Sequence, residues 1–264
     1  MGEQSSYRFS HAIVRRPSES SVNGLRAIDT GKPDLQRFQE HHEQYVSVLK
    51  SAGATVIELT PEEAFPDSVF VEDAALCLQE CAIVMRPGAP TRLGEAQLIE
   101  PVLRSVYSNV YSIDGPGCIE GGDILTTDTE ILVGLSARTN QAGVDELTRI
   151  VNQFGYTVRV VHTPPEILHF KTDCSLLDEH TILCTPELAA TGCFEHYCVV
   201  NTASGEGACA NAIRFNDVVV MPEGFPETAS MLRSMGYNVK LVGNTEAAKL
   251  DGGMSCLSLR FTPS

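Results

Sequence analysis

His180-Thr181-Ile182-Leu183-Cys184-Thr185-Pro186 is a short apolar run brought to a stop by a proline. It reads as a β-strand, since proline cannot donate to a sheet ladder and so marks where pairing ends. Four further runs have the same form: His11-Ala12-Ile13-Val14-Arg15-Arg16-Pro17, Cys81-Ala82-Ile83-Val84-Met85-Arg86-Pro87, Glu130-Ile131-Leu132-Val133-Gly134-Leu135 and Asp217-Val218-Val219-Val220-Met221-Pro222. Each stops at Pro, Gly or a polar loop. Their irregular spacing, near about 50 residues, is the mark of a repeated structural unit.

Working outward, four of the five runs have another strand at hairpin distance before them. These are Asp73–Leu78, Gly122–Thr126, Asp173–Leu177 and Cys209–Phe215. The run at His11 lacks such a partner, and a leftover strand, Met254–Phe261, stands at the other end of the chain. Pairing the two closes five ββαβ-like units into a ring and removes the open edges of the array. A helix follows most runs. The clearest begins at Pro33-Asp34 and carries Leu35, Phe38, Tyr45, Val48 and Leu49 on one face. Gly53, Gly155 and Gly236 each stand between a helical stretch and a strand, the signature of a left-handed helix cap. A doubly wound α/β sheet is the alternative architecture, and it ranks second because the hairpins require antiparallel neighbours. The expectation is one catalytic domain over residues 1–264, with no linker between parts.

The chain of 264 residues is 43% hydrophobic and carries a net charge of −15. That balance argues against nucleic acid or an anionic membrane as partner and suits a small cation. No apolar run approaches the ~18 residues of a membrane span, and Met1 to Arg8 does not resemble a secretory signal. The nine cysteines, an odd number scattered along the chain, suggest free thiols in a reducing cytoplasm.

The hairpin strands have polar starts: Glu72-Asp73, Glu120-Gly121-Gly122-Asp123, Thr172-Asp173, Asn211 and Asp251-Gly252-Gly253. Carboxylates entering apolar strands are costly to bury unless paired. At equivalent places in a ring they outline an acidic pocket; the plain alternative is structural capping. Cys256 follows the Gly252-Gly253 pair on the closing strand and could act as a nucleophile if activated; a buried structural thiol is the alternative. Among seven histidines, His169 enters the third hairpin and is preferred as its partner. His41 and His42 are expected on the surface of the first helix, and His180 in a turn. Cys193-x-x-His196-x-Cys198 is too tight for paired metal ligands. Gly205-Glu206-Gly207 lacks the lysine and strand-to-helix setting of a phosphate loop.

Several motifs together resemble dimethylarginine dimethylaminohydrolase, and they run in order along nearly the whole chain. They are 65–73 (FPDSVFVED), 86–92 (RPGAPTR), 119–123 (IEGGD), 133–140 (VGLSARTN), 168–171 (LHFK) and 250–256 (LDGGMSC). The family belongs to the guanidine-modifying superfamily, whose fold is a five-bladed α/β propeller, in agreement with the five-unit reading. The resemblance implies hydrolysis of methylated arginines to citrulline and a methylamine, without metal or organic cofactor. It implies that Cys256 is the nucleophile, His169 the general acid/base and Glu120 the residue orienting it. It places Glu72 and Asp73 at substrate-binding acidic positions, with Asp73 the guanidinium partner, and Asp67 near the amino-acid end. Arg92 and Arg138 align with residues gripping the α-carboxylate. Leu25 falls in Ser18–Gly31, which aligns with a mobile lid, and Leu250 matches a position whose backbone meets the substrate amino group. The implied partner is a small cationic amino acid; the oligomeric state stays open, a homodimer among the options.

Arginine deiminases, a related group, carry an Asp two residues after the catalytic His, and they are longer. Here that position is Lys171. A related hydrolase for arginine, another guanidine or citrulline is the second reading. A non-catalytic arginine-binding relative is the third, and it is disfavoured because Cys256 and His169 are both present.

Overall fold

A computed structural model describes residues 5–264. The five predicted runs become the middle strands of five separate three-stranded sheets. The first sheet holds β1 (His11–Arg15) and β2 (Thr55–Leu59), the second β3 (Ala75–Cys77), β4 (Ala82–Val84) and β5 (Val110–Ser112). The third holds β6 (Ile124–Thr126), β7 (Ile131–Leu135) and β8 (Val158–His162), and the fourth β9 (Cys174–Leu176), β10 (Thr181–Cys184) and β11 (Cys198–Asn201). The fifth holds β12 (Ile213–Phe215), β13 (Val218–Pro222) and β14 (Asn238–Val242). β15 (Leu259–Phe261) completes the first sheet by pairing antiparallel with β1, His11 opposite Phe261.

In every sheet the middle strand has one antiparallel and one parallel neighbour. A helix makes each parallel crossover: α1 (Leu35–Ser51), α2 (Glu100–Val106), α3 (Gln141–Val151), α4 (Pro186–Ala189) and α5 (Pro226–Ser234). This mixed pairing, split over five sheets, excludes one doubly wound sheet.

Apolar side chains gather between neighbouring sheets. Five buried clusters join the first sheet to the second, the second to the third, the third to the fourth, the fourth to the fifth and the fifth back to the first. A core at every junction is what a closed five-unit propeller requires, since each unit buries its face only against its neighbours. The chain therefore folds as the expected α/β propeller, closed by its N- and C-terminal strands.

The local signals were well placed. Asp34 caps α1 by accepting the Arg37 N–H at 2.9 Å. Gly53, Gly155 and Gly236 all have φ near +90°, at +97°, +86° and +94°. Two expectations fail. His42 is buried at 2% exposure, and His41 packs against Gly243, where an added Cβ would lie 2.3 Å from its ring. α1 is covered by neighbouring structure beyond its apolar stripe, and burial drives the His42 pKa down to about 4, so it sits there neutral. The hairpin strands also begin later than the sequence suggests. Their polar starts lie in or beside single 3-10 turns at Val71–Ala74, Gly121–Asp123, Phe170–Thr172, Gly207–Ala210 and Ser255–Leu257. A carboxylate is better served there, where backbone N–H groups are free to reach it.

The closing strand tests the architecture. Phe261 is 1% exposed, with its ring 5.3 Å from Tyr107 and 5.5 Å from His11. Phe261→Ala is expected to destabilise the fold by about 3–5 kcal/mol in denaturant unfolding. A loss below about 1 kcal/mol would mean that the terminal strand does not hold the ring shut.

Candidate active site

The 3-10 turns and the residues that flank them bring polar side chains to a common centre. Glu72 and Asp73 lie within the turn of the second sheet, and Glu120 stands just before that of the third. His169 precedes the turn of the fourth, Asn211 follows that of the fifth, and Cys256 lies in the closing one. The turns meet this closely because of two glycines. A Cβ at Gly121 would fall 2.0 Å from the Glu72 carbonyl oxygen, and one at Gly122 would fall 2.7 Å from Asp73 Oδ1. The Gly122 N–H instead donates to Asp73 Oδ1 at 3.0 Å.

His169 Nε2 meets Glu120 Oε2 at 2.6 Å and lies 4.0 Å from Asp73 Oδ1. Glu120 is fully buried, and its Oε1 accepts the Gly88 N–H at 2.9 Å. Burial by itself would lower the His169 pKa. The carboxylates of Asp73 and Glu120 outweigh it and raise the pKa to about 9, so His169 is an imidazolium at neutral pH. Burial likewise opposes the charge on Asp73, but His169 and Arg92 win and hold it at about 2. Asp123, also buried, accepts from Ser136, Thr139 and the Phe170 N–H, which fixes the turn after His169.

Cys256 is 9% exposed. Burial, then the Glu72 and Asp73 charges, push its thiol up to about 11. Donors from Gly253 and Asn211 pull the other way and are outweighed. With the pocket empty, the cysteine is therefore a thiol at neutral pH.

Cys256, His169 and Asp73 face a cavity of about 230 Å³. Leu25, Asp67, Arg92, Arg138 and Leu250 also line it, so eight of the ten expected site residues converge there. Glu120 sits beneath, behind His169. Glu72 does not line this cavity, contrary to the expectation of substrate contact. Its Oε1 binds Lys171 Nζ at 2.6 Å and Arg260 at 2.8 Å, and its Oε2 accepts from Ser255 Oγ at 2.7 Å. A buried lysine and a part-buried arginine hold it on that side. A larger cavity of about 1110 Å³ is lined by Glu72, Lys171 and Arg260 and shares no lining residue with the smaller one. Volume favours the larger space. Chemistry favours the smaller, where a thiol, an imidazolium and a carboxylate meet.

The two arginines differ in a way their spacing could not reveal. Arg92 is buried and committed, donating to Asp73 at 2.6 Å and to both Glu95 oxygens at 2.6 and 3.0 Å. The Arg138 side chain keeps 20% of its surface exposed and, among the described residues, makes only a long 3.5 Å contact with Glu120. It is the freer cation for a bound carboxylate. Glu95 was missed by sequence reasoning; its position three residues after Arg92 was the available clue. Over the mouth, the Leu25 N–H donates to Asp67 Oδ1 at 2.9 Å and the Ala27 N–H to Asp251 Oδ2 at 2.6 Å. The segment Ser18–Gly31 thus lies across the pocket on two carboxylates, and Asp251 is a second tie that the sequence did not suggest. Burial raises the pKa of Asp67.

Among the described residues, Asp73, Glu120 and His169 form the one His/carboxylate cluster tight enough to hold a metal, with atoms within 4.8 Å of one another. The His169 nitrogen that would ligate is engaged by Glu120, which suits proton handling better. Cys193 is buried while His196 and Cys198 are exposed, so they do not converge. Glu206, in the rejected glycine loop, accepts the N–H groups of Glu227 and Thr228 and caps α5.

Residues 63–220 match a family model described as arginine deiminase. A Pseudomonas aeruginosa protein named N(G),N(G)-dimethylarginine dimethylaminohydrolase is 38% identical over 254 residues, covering 96% of this chain and 100% of that protein. A solved structure of the Pseudomonas aeruginosa enzyme, a cysteine-to-serine variant complexed with citrulline, superposes with a TM-score of 0.94 at 38% identity. The match covers 97% of this chain and 100% of the other. A second, a histidine-to-glycine variant of dimethylarginine dimethylaminohydrolase as an adduct with S-methyl-L-thiocitrulline, gives a TM-score of 0.93 at 38% identity. Coverage there is 96% and 100%.

The raised His169 pKa has a consequence for stability. The group gains protons on folding, so its contribution is full below its unfolded pKa of 6.5 and is lost as pH rises through about 9. Unfolding free energies of the native protein and of His169→Gln are therefore expected to converge between those pH values. A constant difference across that window would mean that His169 is not held charged.

Proposed function

The chain belongs to the dimethylarginine dimethylaminohydrolase family, within the wider arginine deiminase family, and on that premise we propose that it hydrolyses Nω-methylated arginines to citrulline and a methylamine, residues 1–264 acting as one catalytic unit. The observation that carries the proposal is the meeting of Cys256, His169 and Asp73 around one small cavity, with Glu120 against the imidazole.

A guanidinium is a resonance-stabilised, poor electrophile, so the reaction needs a fixed geometry and a protonated leaving group. Asp73 offers a carboxylate that stays charged, to pin the guanidinium in reach of the sulfur. Arg138 is suited to the α-carboxylate, by the two-pronged pairing that arginine makes with such groups. Asp67, Leu25 and Leu250 surround the remaining part of the substrate.

At neutral pH, His169 is already in the form needed to donate a proton, whereas Cys256 is not yet a nucleophile. The substrate supplies the missing charge. A guanidinium set beside the sulfur stabilises the thiolate that Glu72 and Asp73 oppose, and the thiol proton leaves to solvent, since His169 is already protonated. The sulfur then bonds to the guanidinium carbon. As the carbon–nitrogen bond breaks, the departing amine takes its proton from His169, leaving a covalent thiouronium on Cys256. His169, now neutral, takes a proton from water as the water oxygen bonds to that carbon. Collapse expels the sulfur, which takes up the remaining hydroxyl proton to return as the thiol, and gives citrulline. Glu120 holds the imidazole in place through both steps.

A related hydrolase for unmethylated arginine is the second reading. Lys171, bound to Glu72, stands where arginine deiminases carry an Asp, and this favours the methylated substrate.

Purified protein incubated with asymmetric dimethylarginine should form citrulline, with a higher kcat/KM than for arginine; equal or reversed values would favour the second reading. Cys256→Ser should fold and lose at least about a thousandfold in kcat. In the free enzyme the reactive thiolate–imidazolium pair becomes populated as pH rises toward about 9 and is lost above about 11. kcat/KM should therefore climb with pH from neutrality to about 9 and fall above about 11. A profile already flat at neutral pH would contradict the raised thiol pKa.

A further inference from the structure

Behind the pocket, the sulfur of Cys256 is held by groups that none of these steps uses. The Gly253 N–H reaches it at 3.4 Å, and Asn211 Nδ2 lies 3.8 Å from it. Asn211 is 5% exposed and stands directly after the 3-10 turn Gly207–Ala210. The other end of its carboxamide receives the Ser255 N–H at 2.9 Å. An N–H can meet only an acceptor, so that end is Oδ1, and the NH2 end is the one turned to the sulfur. The Asn211 carbonyl accepts the Met254 N–H at 3.3 Å. One residue of the fifth sheet thus grips three consecutive residues of the closing turn.

The glycine at 253 belongs to the same arrangement. A Cβ there would lie 2.2 Å from Asn211 Cγ. Any other residue would push the amide off the loop that carries the nucleophile.

We propose that Asn211 is a positioning residue for the hydrolysis, its NH2 group and the Gly253 N–H forming a two-donor cradle that aims the Cys256 sulfur and stabilises its anionic form. The inference rests on Cys256 being the nucleophile. The cradle answers a specific difficulty of this site. The sulfur is buried and faced by the Glu72 and Asp73 carboxylates, all of which oppose a thiolate, with the cationic His169 across the same cavity. A lysine or arginine behind the sulfur would offset them, but it would also repel the cationic substrate. Neutral donors stabilise the developing anion without that cost, as backbone donors do for an oxyanion. Their geometry is set by the fold before substrate arrives.

Asn211→Asp tests this. It keeps the shape and the acceptor for Ser255, and replaces the NH2 donor with an oxygen that also brings a negative charge; Asn211→Ser removes the donor without that charge. Inactivation by iodoacetamide, followed between neutral pH and about 9 in the absence of substrate, is expected to be roughly tenfold slower at each pH for Asn211→Ser, the effect of losing one hydrogen bond to a charged atom, and slower still for Asn211→Asp. kcat for dimethylarginine should fall roughly tenfold or more while KM stays within about twofold. An unchanged inactivation profile overturns the proposal. A kcat loss with that profile unmoved also overturns it, because Asn211 would then merely hold the loop. Should Asn211→Asp not fold, Asn211→Ser, too short to reach the sulfur, is read by the same two measurements. Citrulline formation by Cys256→Ser would instead sink the hydrolase reading, a result distinct from either outcome for Asn211.

Discussion

The Glu72 carboxylate ties three parts of the chain into one centre. From the turn of the second sheet it reaches Lys171 in the turn of the fourth, and Ser255 and Arg260 on the closing segment, all within 2.6–2.8 Å. A charge at 3% exposure is tolerable only when paired in this way, and removing one partner strands the rest. The tie joins the turns of the second and fourth sheets to the closing segment, on the wall of the larger cavity. Its place in this hub also explains why Glu72 does not line the small cavity, although it neighbours Asp73 in sequence.

The site is electrostatically unbalanced when empty, and the imbalance is functional in the proposed reaction. Carboxylates hold His169 as a cation and the thiol as a neutral group. At neutral pH a cation beside the sulfur reverses the second of these. The acidity that selects a guanidinium thus also keeps the nucleophile quiet until one is bound. A buried cysteine among carboxylates is poorly reactive by itself.

Much of the fold was legible because its signals are local. Strand runs ending at proline, the Asp34 cap and the three left-handed glycines depend on neighbours a few residues away. The one long-range fold inference, pairing of the terminal strands, followed from counting partners and refusing an open edge. The site was legible in its membership through the motifs around Cys256, His169 and Glu120. Its internal division was not. Nothing in the spacing of Arg92 and Arg138 says that the first is consumed by Asp73 and Glu95 while the second stays free. Nor does the stripe on α1 say that His42 is covered.

The sequence by itself determined the repeat and the closure, which rest on period, turn chemistry and pairing, and it named most residues of the centre through motifs that resemble a known family. Only the tertiary structure decided which way each polar side chain turns. Glu72 turns from the pocket, Asp73 turns into it, and Asn211 turns its NH2 toward the sulfur. Those directions depend on partners contributed by other sheets. A side chain on a 3-10 turn chooses among such partners by distance and charge, and neither quantity exists until the ring has closed.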